Sequence, residues 1–201
     1  MMINKFFILS FISIIFIGCY SEQESVPSSE IFKNLNFSKT GIDFENLLSY
    51  RTELNIIEYL YYYNGGGVAI GDINNDGLED IYFSGNQVSD QLYLNLGNLR
   101  FKNISVESGI TTNNSWSSGV TMEDINNDGY IDIYVSIVSP ASPQAEKNKL
   151  YINNGDLTFS EKAKEFGLDF SGFSTHATFF DYDRDGDLDM YLLNHAIHTV
   201  R

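Results

Sequence analysis

Cysteine is nearly missing from this chain: Cys19 is the only one among 201 residues, which removes any intramolecular disulfide. Basic side chains are also scarce. Lys and Arg total 12 against 27 Asp and Glu, and the formal net charge of −15 speaks against a nucleic-acid backbone as partner and for metal cations. Histidine occurs only at His176, His195 and His198. His195 and His198 have a spacing open to metal ligation, but along a strand they point to opposite faces, so a satisfied turn histidine is the expected reading. A Ser-x-Gly nucleophile elbow, a phosphate loop and a zinc ligand set are all lacking.

The first residues are of a different kind from the rest. Lys5 is followed by an apolar run from Phe6 to Ile17, too short and too promptly interrupted for a stop-transfer helix. The run ends Phe16-Ile17-Gly18-Cys19, which resembles a bacterial lipobox. That resemblance implies an export signal over 1–18, acylation of Cys19, and attachment to the outer membrane or cell surface through lipid alone. Residues 19–36 contain Ser, Glu, Gln and Pro with little to bury, as expected of a flexible acidic tether, and Glu22 and Glu24 resemble the surface-export tethers of some Bacteroidetes lipoproteins. Residues 37–64 are expected to pack on the first unit of the folded part. The chain's 14% aromatic content, with frequent Gly and Asn clusters, points to short strands and tight turns.

One segment occurs three times: Gly71 to Phe83, Asp124 to Val135 and Asp181 to Leu192. Asp72 to Asp124 is 52 residues and Asp124 to Asp181 is 57. A second segment, Leu92 to Phe101, recurs as Leu150 to Phe159. Each unit therefore reads as two hairpins. A short apolar run (Val68-Ala69-Ile70, Val120-Thr121-Met122, Thr178-Phe179-Phe180) leads into the acidic loop, a β-rich run comes after it, and a Gly-Asn or Gly-Asp turn joins the third and fourth strands. Four short strands per roughly 50 residues match a propeller blade. The expected fold is an all-β partial propeller over 65–201, with units at about 65–115, 116–172 and an incomplete 173–201. Unit two has Ser136 to Asn148, with Pro140 and Pro143, where unit one has only Ser84 to Asp90, and the expected reading is a neutral surface insertion.

The acidic loops have the oxygen spacing that calcium requires. A hard cation takes six to eight oxygens, and side chains at loop positions 1, 3 and 5 converge on one centre while Gly at 6 permits the turn. The candidate ligands are Asp72, Asn74, Asp76, Asp80 and the Leu78 carbonyl in unit one. In unit two they are Asp124, Asn126, Asp128, Asp132 and the Tyr130 carbonyl; in unit three Asp181, Asp183, Asp185, Asp189 and the Asp187 carbonyl. An EF-hand needs Glu at position 12 and flanking helices, whereas Phe83, Val135 and Leu192 stand there among β-formers. Without metal the carboxylates repel, so calcium is expected to be structural and coupled to folding. Unit three has four side-chain carboxylates and is the expected tightest site if Arg184 points away.

These loops resemble the FG-GAP or VCBS repeats of integrin-like β-propellers, in which such a loop between the first two strands of a blade holds calcium. The stretches Asn64 to Asp72 and Asp189 to His195 are similar to the long Bacteroidetes lipoproteins that carry these repeats ahead of an ASPIC/UnbV domain. The resemblance implies about seven blades. The third unit reaches Arg201 just past its second strand, so a fragment, a truncated product or pairing with another chain is the expectation. Tyr59, Tyr61, Tyr62 and Tyr63 are expected to pack against the first unit rather than to form a sugar-stacking platform. The leading expectation is a calcium-stabilised binding module for a glycan or protein, with no catalysis of its own. The alternatives are the N-terminal part of a polysaccharide-acting enzyme, or a truncated chain without function.

Overall fold

The structure is a computed structural model and describes residues 32–50, 55–57, 59–110, 112, 115–139 and 146–195. Cys19, the signal 1–18, most of the tether, Pro140, Pro143 and His198 lie outside the described residues. The chain divides into a unit Met1–Asn34 and a unit Leu35–Arg201, and among the described residues every element of regular structure belongs to the second.

Among the described residues the chain is all-β apart from one short helix. That helix, α1 (Phe37–Thr40), is not signalled by the sequence pattern; it is held by Asn36 as N-cap and by Gly41 at φ 79° as C-cap. The first sheet takes β1 (Val68–Gly71), β2 (Asp80–Phe83), β3 (Gln91–Asn95) and β4 (Phe101–Asn103) in chain order. The second repeats it with β5 (Ser117–Glu123), β6 (Asp132–Ile137), β7 (Lys149–Asn153) and β8 (Phe159–Glu161). The third is the hairpin of β9 (Ser174–Phe180) and β10 (Asp189–Asn194). All neighbours are antiparallel, and the registers repeat: Tyr82 faces Leu92 as Tyr134 faces Leu150. These sheets are the blades of a partial propeller, two complete and one represented by its inner hairpin.

The third-to-fourth strand turns are wider than a two-residue Gly-Asn or Gly-Asp loop. Leu96 N–H reaches Arg100 O at 2.7 Å and Asn154 N–H reaches Thr158 O at 3.0 Å, closing five-residue connections. Gly97 and Gly155 stand second in them at positive φ, and Leu99 and Leu157 are also left-handed.

Blades stack through their inner strands, and glycine sets the distance. A Cβ on Gly67 would stand 2.7 Å from Ser118 O, and one on Gly119 2.3 Å from Thr175 O, so the successive inner strands approach as only glycine permits. Between blades one and two lie Ile73, Tyr82, Leu92, Val120, Ile133, Val135 and Tyr151; between two and three lie Tyr134, Leu150, Ala177 and Phe179. Every residue of β6 is buried, because blade two is covered on both faces. Fully burying side chains of this size stabilises by about 1.5–3 kcal/mol each. At the matching tyrosine the burial ends: Tyr82 and Tyr134 are 0% exposed, and Tyr191 in blade three is 65% exposed.

The N-terminal segment contacts more than the first blade. Phe44 stacks on Phe83, the Tyr93 hydroxyl donates to Asp43, and Ser49 bonds the Gln87 carbonyl oxygen. Tyr59 and Tyr62, however, are buried with Trp116 and Val138, at the entry to and exit from the inner hairpin of blade two. Tyr63 remains exposed.

Asp90 and Asn148 occupy the same place in successive blades. Asp90 accepts from Tyr82 Oη at 2.7 Å and from Gly85 N–H at 2.8 Å; Asn148 donates to Tyr134 Oη at 3.0 Å and accepts from Ile137 N–H at 2.8 Å. Burial pushes the Asp90 carboxyl up to about 6, against opposing hydrogen bonds from Gly85 and Tyr82. A carboxyl whose folded pKa is raised favours the fold below its unfolded pKa, and that contribution is lost as pH rises through about 6. Asp90→Asn, which reproduces the blade-two arrangement, is expected to stabilise the protein by about 1–3 kcal/mol at pH 7.5 and to flatten the pH dependence between about 4 and 7. Urea unfolding at the two pH limits measures both effects.

Candidate metal centres

Each acidic loop joins the first two strands of a blade and reverses the chain in the same manner. Position 4 is left-handed in all three, at Asn75 (φ 58°), Asn127 (57°) and Arg184 (66°), and position 6 is Gly77, Gly129 or Gly186 at φ 84°, 90° and 97°. Asn adopts the left-handed region at low cost because its amide bonds locally, an advantage Arg184 lacks.

The reversal turns side-chain oxygens toward the loop centre. Asp72 accepts from Asp76 N–H at 3.1 Å and Gly77 N–H at 2.7 Å; Asp124 accepts from Asp128 N–H at 3.0 Å and Gly129 N–H at 2.8 Å. Asn74 and Asn126 donate to Asp76 and Asp128 at 3.0 and 2.8 Å. Leu78, Tyr130 and Asp187 are each oriented by their own N–H on the carboxylate at position 5, at 2.8, 2.9 and 3.1 Å. Loop three is looser: Asp181 accepts from Gly186 N–H, and Asp183 from Asp185 N–H, both at 3.3 Å. It also gathers most carboxylate, with one oxygen each of Asp181, Asp183 and Asp189 within 4.8 Å of one another.

Position 9 does more than face the loop. Asp80 accepts from Ile73 N–H at 3.0 Å with one oxygen and from Asn95 N–H at 2.7 Å with the other. Asp132 does the same with Ile125 at 3.0 Å and Asn153 at 2.9 Å. Both are buried and tie the loop to the third strand. Each carboxylate oxygen keeps a further lone pair for a cation. Asp189 accepts from Tyr182 N–H at 2.9 Å. Asn95 and Asn153, which brace these loops from β3 and β7, fall outside the ligand set that loop spacing defines; their signal in the sequence is the recurring Leu-Tyr-x-Asn.

The electrostatics divide by position. For Asp72, desolvation pushes upward but N–H bonds from Gly77, Asp76, Asn74 and Asn75 outweigh it and hold the carboxyl below its ordinary value. Burial raises Asp80, and raises Asp132 to about 6. In loop three a hydrogen bond to Asp185 and then the charges of Asp185, Asp189 and Asp183 raise Asp187. Lys102, Lys147 and Lys162 pair with Glu107, Asp169 and Glu165, away from the loops. The donor set is carboxylate and amide oxygen without His or Cys, which suits a hard divalent cation of calcium's size and flexible coordination. His195 stacks on Tyr61 with ring centroids 3.8 Å apart, and burial lowers its pKa.

Comparison with known proteins shows a match to the FG-GAP-like repeat over residues 72–135 and 137–192, more than half of the chain. The chain belongs to the FG-GAP-like repeat family. Human cartilage acidic protein 1 is 30% identical over 139 residues, covering 64% of this chain and 20% of that protein. Mouse integrin alpha-8 is 29% identical over 113 residues, covering 49% of this chain and 10% of that protein. The chain thus spans about a fifth and a tenth of the length of these relatives.

Because Asp132 accepts two buried N–H groups independently of any ion, Asp132→Ala is expected to lower unfolding free energy by about 2–4 kcal/mol even in excess chelator. Urea denaturation in chelator measures this, and a loss seen only with calcium present would assign Asp132 to the metal alone.

Proposed function

We propose that this chain is a calcium-stabilised, integrin-like propeller module of an exported, lipid-anchored protein, and that it binds a glycan or a protein through its rim loops. The observation that carries the calcium reading is the threefold recurrence of one loop geometry, with side-chain oxygens at positions 1, 3 and 5 turned inward and Gly at 6. Calcium would be held by Asp72, Asn74, Asp76 and Asp80, by Asp124, Asn126, Asp128 and Asp132, and by Asp181, Asp183, Asp185 and Asp189, with the carbonyls of Leu78, Tyr130 and Asp187 as further oxygens. An ion there neutralises carboxylates that otherwise repel and clamps the turn between the first two strands of each blade.

Export and acylation at Cys19 rest on the Phe16-Ile17-Gly18-Cys19 sequence. Among the described residues no helix is long and apolar enough to cross a membrane. Exposed loops with three or four carboxylates fit the weaker class of sites, about 10⁻⁴–10⁻³ M, found in extracellular modules. The net charge of −15 disfavours polyanionic partners, and the ASPIC/UnbV-type lipoproteins are the group to which the N-terminal and loop sequences point.

Calorimetric titration of the purified chain with calcium is expected to give about three ions per chain, with a melting temperature lowered by about 4–8 °C or more in chelator. No binding heat together with a chelator-insensitive melt would overturn the calcium reading. A glycan array with the calcium-loaded protein then separates carbohydrate from protein ligands.

A further inference from the structure

The geometry points to Asn153 as a positioning residue shared by two cation loops, which makes ion binding in loops one and two cooperative. This inference rests on the proposed calcium sites. Asn153 is 3% exposed and belongs to neither loop. Its amide Nδ2 donates to Ile73 O at 2.8 Å and to Ile131 O at 3.1 Å, its Oδ1 accepts from Gly155 N–H at 2.9 Å, and its own N–H bonds Asp132 at 2.9 Å. Ile73 stands between Asp72 and Asn74 and donates its N–H to Asp80 at 3.0 Å. One side chain therefore holds the backbone of loop one at the residue flanked by its ligands, and the backbone of loop two beside Asp132.

A second strap joins the same two loops at the rim, where Asn75 Nδ2 donates to Gly129 O at 3.0 Å. In blade one the corresponding Asn95 reaches only its own loop, through Glu79 O at 2.8 Å. Between loops two and three the rim strap has no counterpart among the described residues. A cleft of about 380 Å³ lined by Asp124, Asn126, Asn127, Gly186 and Asp187 lies there instead.

An ion in loop one gathers Asp72, Asn74, Asp76 and Asp80 about one centre and so fixes Ile73. Through Asn153 that ordering extends to Ile131 and Asp132 before a second ion arrives, and the second ion then loses less conformational freedom on binding. Linkage makes the effect reciprocal, with an expected mutual tightening of about five- to tenfold.

Terbium(III) emission excited through tyrosine isolates loop two, because Tyr130 sits at its position 7; the exposed Tyr182 of loop three is removed by Tyr182→Leu. In that background Asp76→Asn, which weakens loop one only, is expected to lower terbium affinity at loop two by about five- to tenfold. Asn153→Ala and Asn75→Gly, the latter keeping the left-handed turn, are expected to abolish that dependence. Far-UV circular dichroism checks that each variant is folded. Unchanged loop-two affinity in Asp76→Asn overturns the coupling while leaving the calcium reading intact. Dependence that survives in both folded Asn variants overturns the role of Asn153, and absence of any terbium binding overturns the calcium reading and the coupling together.

Discussion

Two buried carboxylates, Asp80 and Asp132, each hold N–H groups from opposite sides of a blade: one from the second residue of the acidic loop, the other from the end of the third strand. Charge-assisted bonds of this kind are stronger than neutral ones, and a buried carboxylate left without them would be very costly. They make loop, second strand and third strand one object. The inward set of positions 1, 3 and 5 depends on this, since a loop free at its base would not keep its oxygens on a common centre. The stacking of blades depends on it too, because Ile73, fixed by Asp80, is both a loop residue and a member of the apolar contact between blades one and two.

Much of this is legible in the sequence because it repeats. Three copies of an Asp-x-Asn/Asp-x-Asp-Gly loop between β-rich runs imply hairpins with oxygens turned inward, and the strand order within each sheet follows from the alternation of apolar runs and turns. What escapes is pairwise. Asn153 looks like any polar residue at a strand end; its role appears only when Ile73 O, 80 residues away in the chain, is brought to its amide. Asp90 and Asn148 are hidden for the same reason, since the linkers before β3 and β7 differ in length and their equivalence is visible only through Tyr82 and Tyr134. The tyrosines of 59–63 suggest packing on the first unit, but aromatic content alone does not name a partner, and Trp116 lies beyond that unit.

Family membership and geometry bear on different questions. The match over 72–135 and 137–192 establishes the repeat, and the hydrogen bonds of Asp80 and Asp132 show how each copy is held. Fold alone says little about what is bound. The internal repetition is the more useful resource, because each blade acts as a substituted version of the next. Asn replaces Asp inside blade two, and Arg184 replaces Asn in a left-handed position.

The enclosure of β6, buried at every residue between two neighbouring sheets, sets an order of opening. In stacked repeats, local stability is a unit's own contribution plus that of its contacts with neighbours. Blade two has neighbours on both faces and is the last of the described sheets to release its amides to solvent hydrogen exchange.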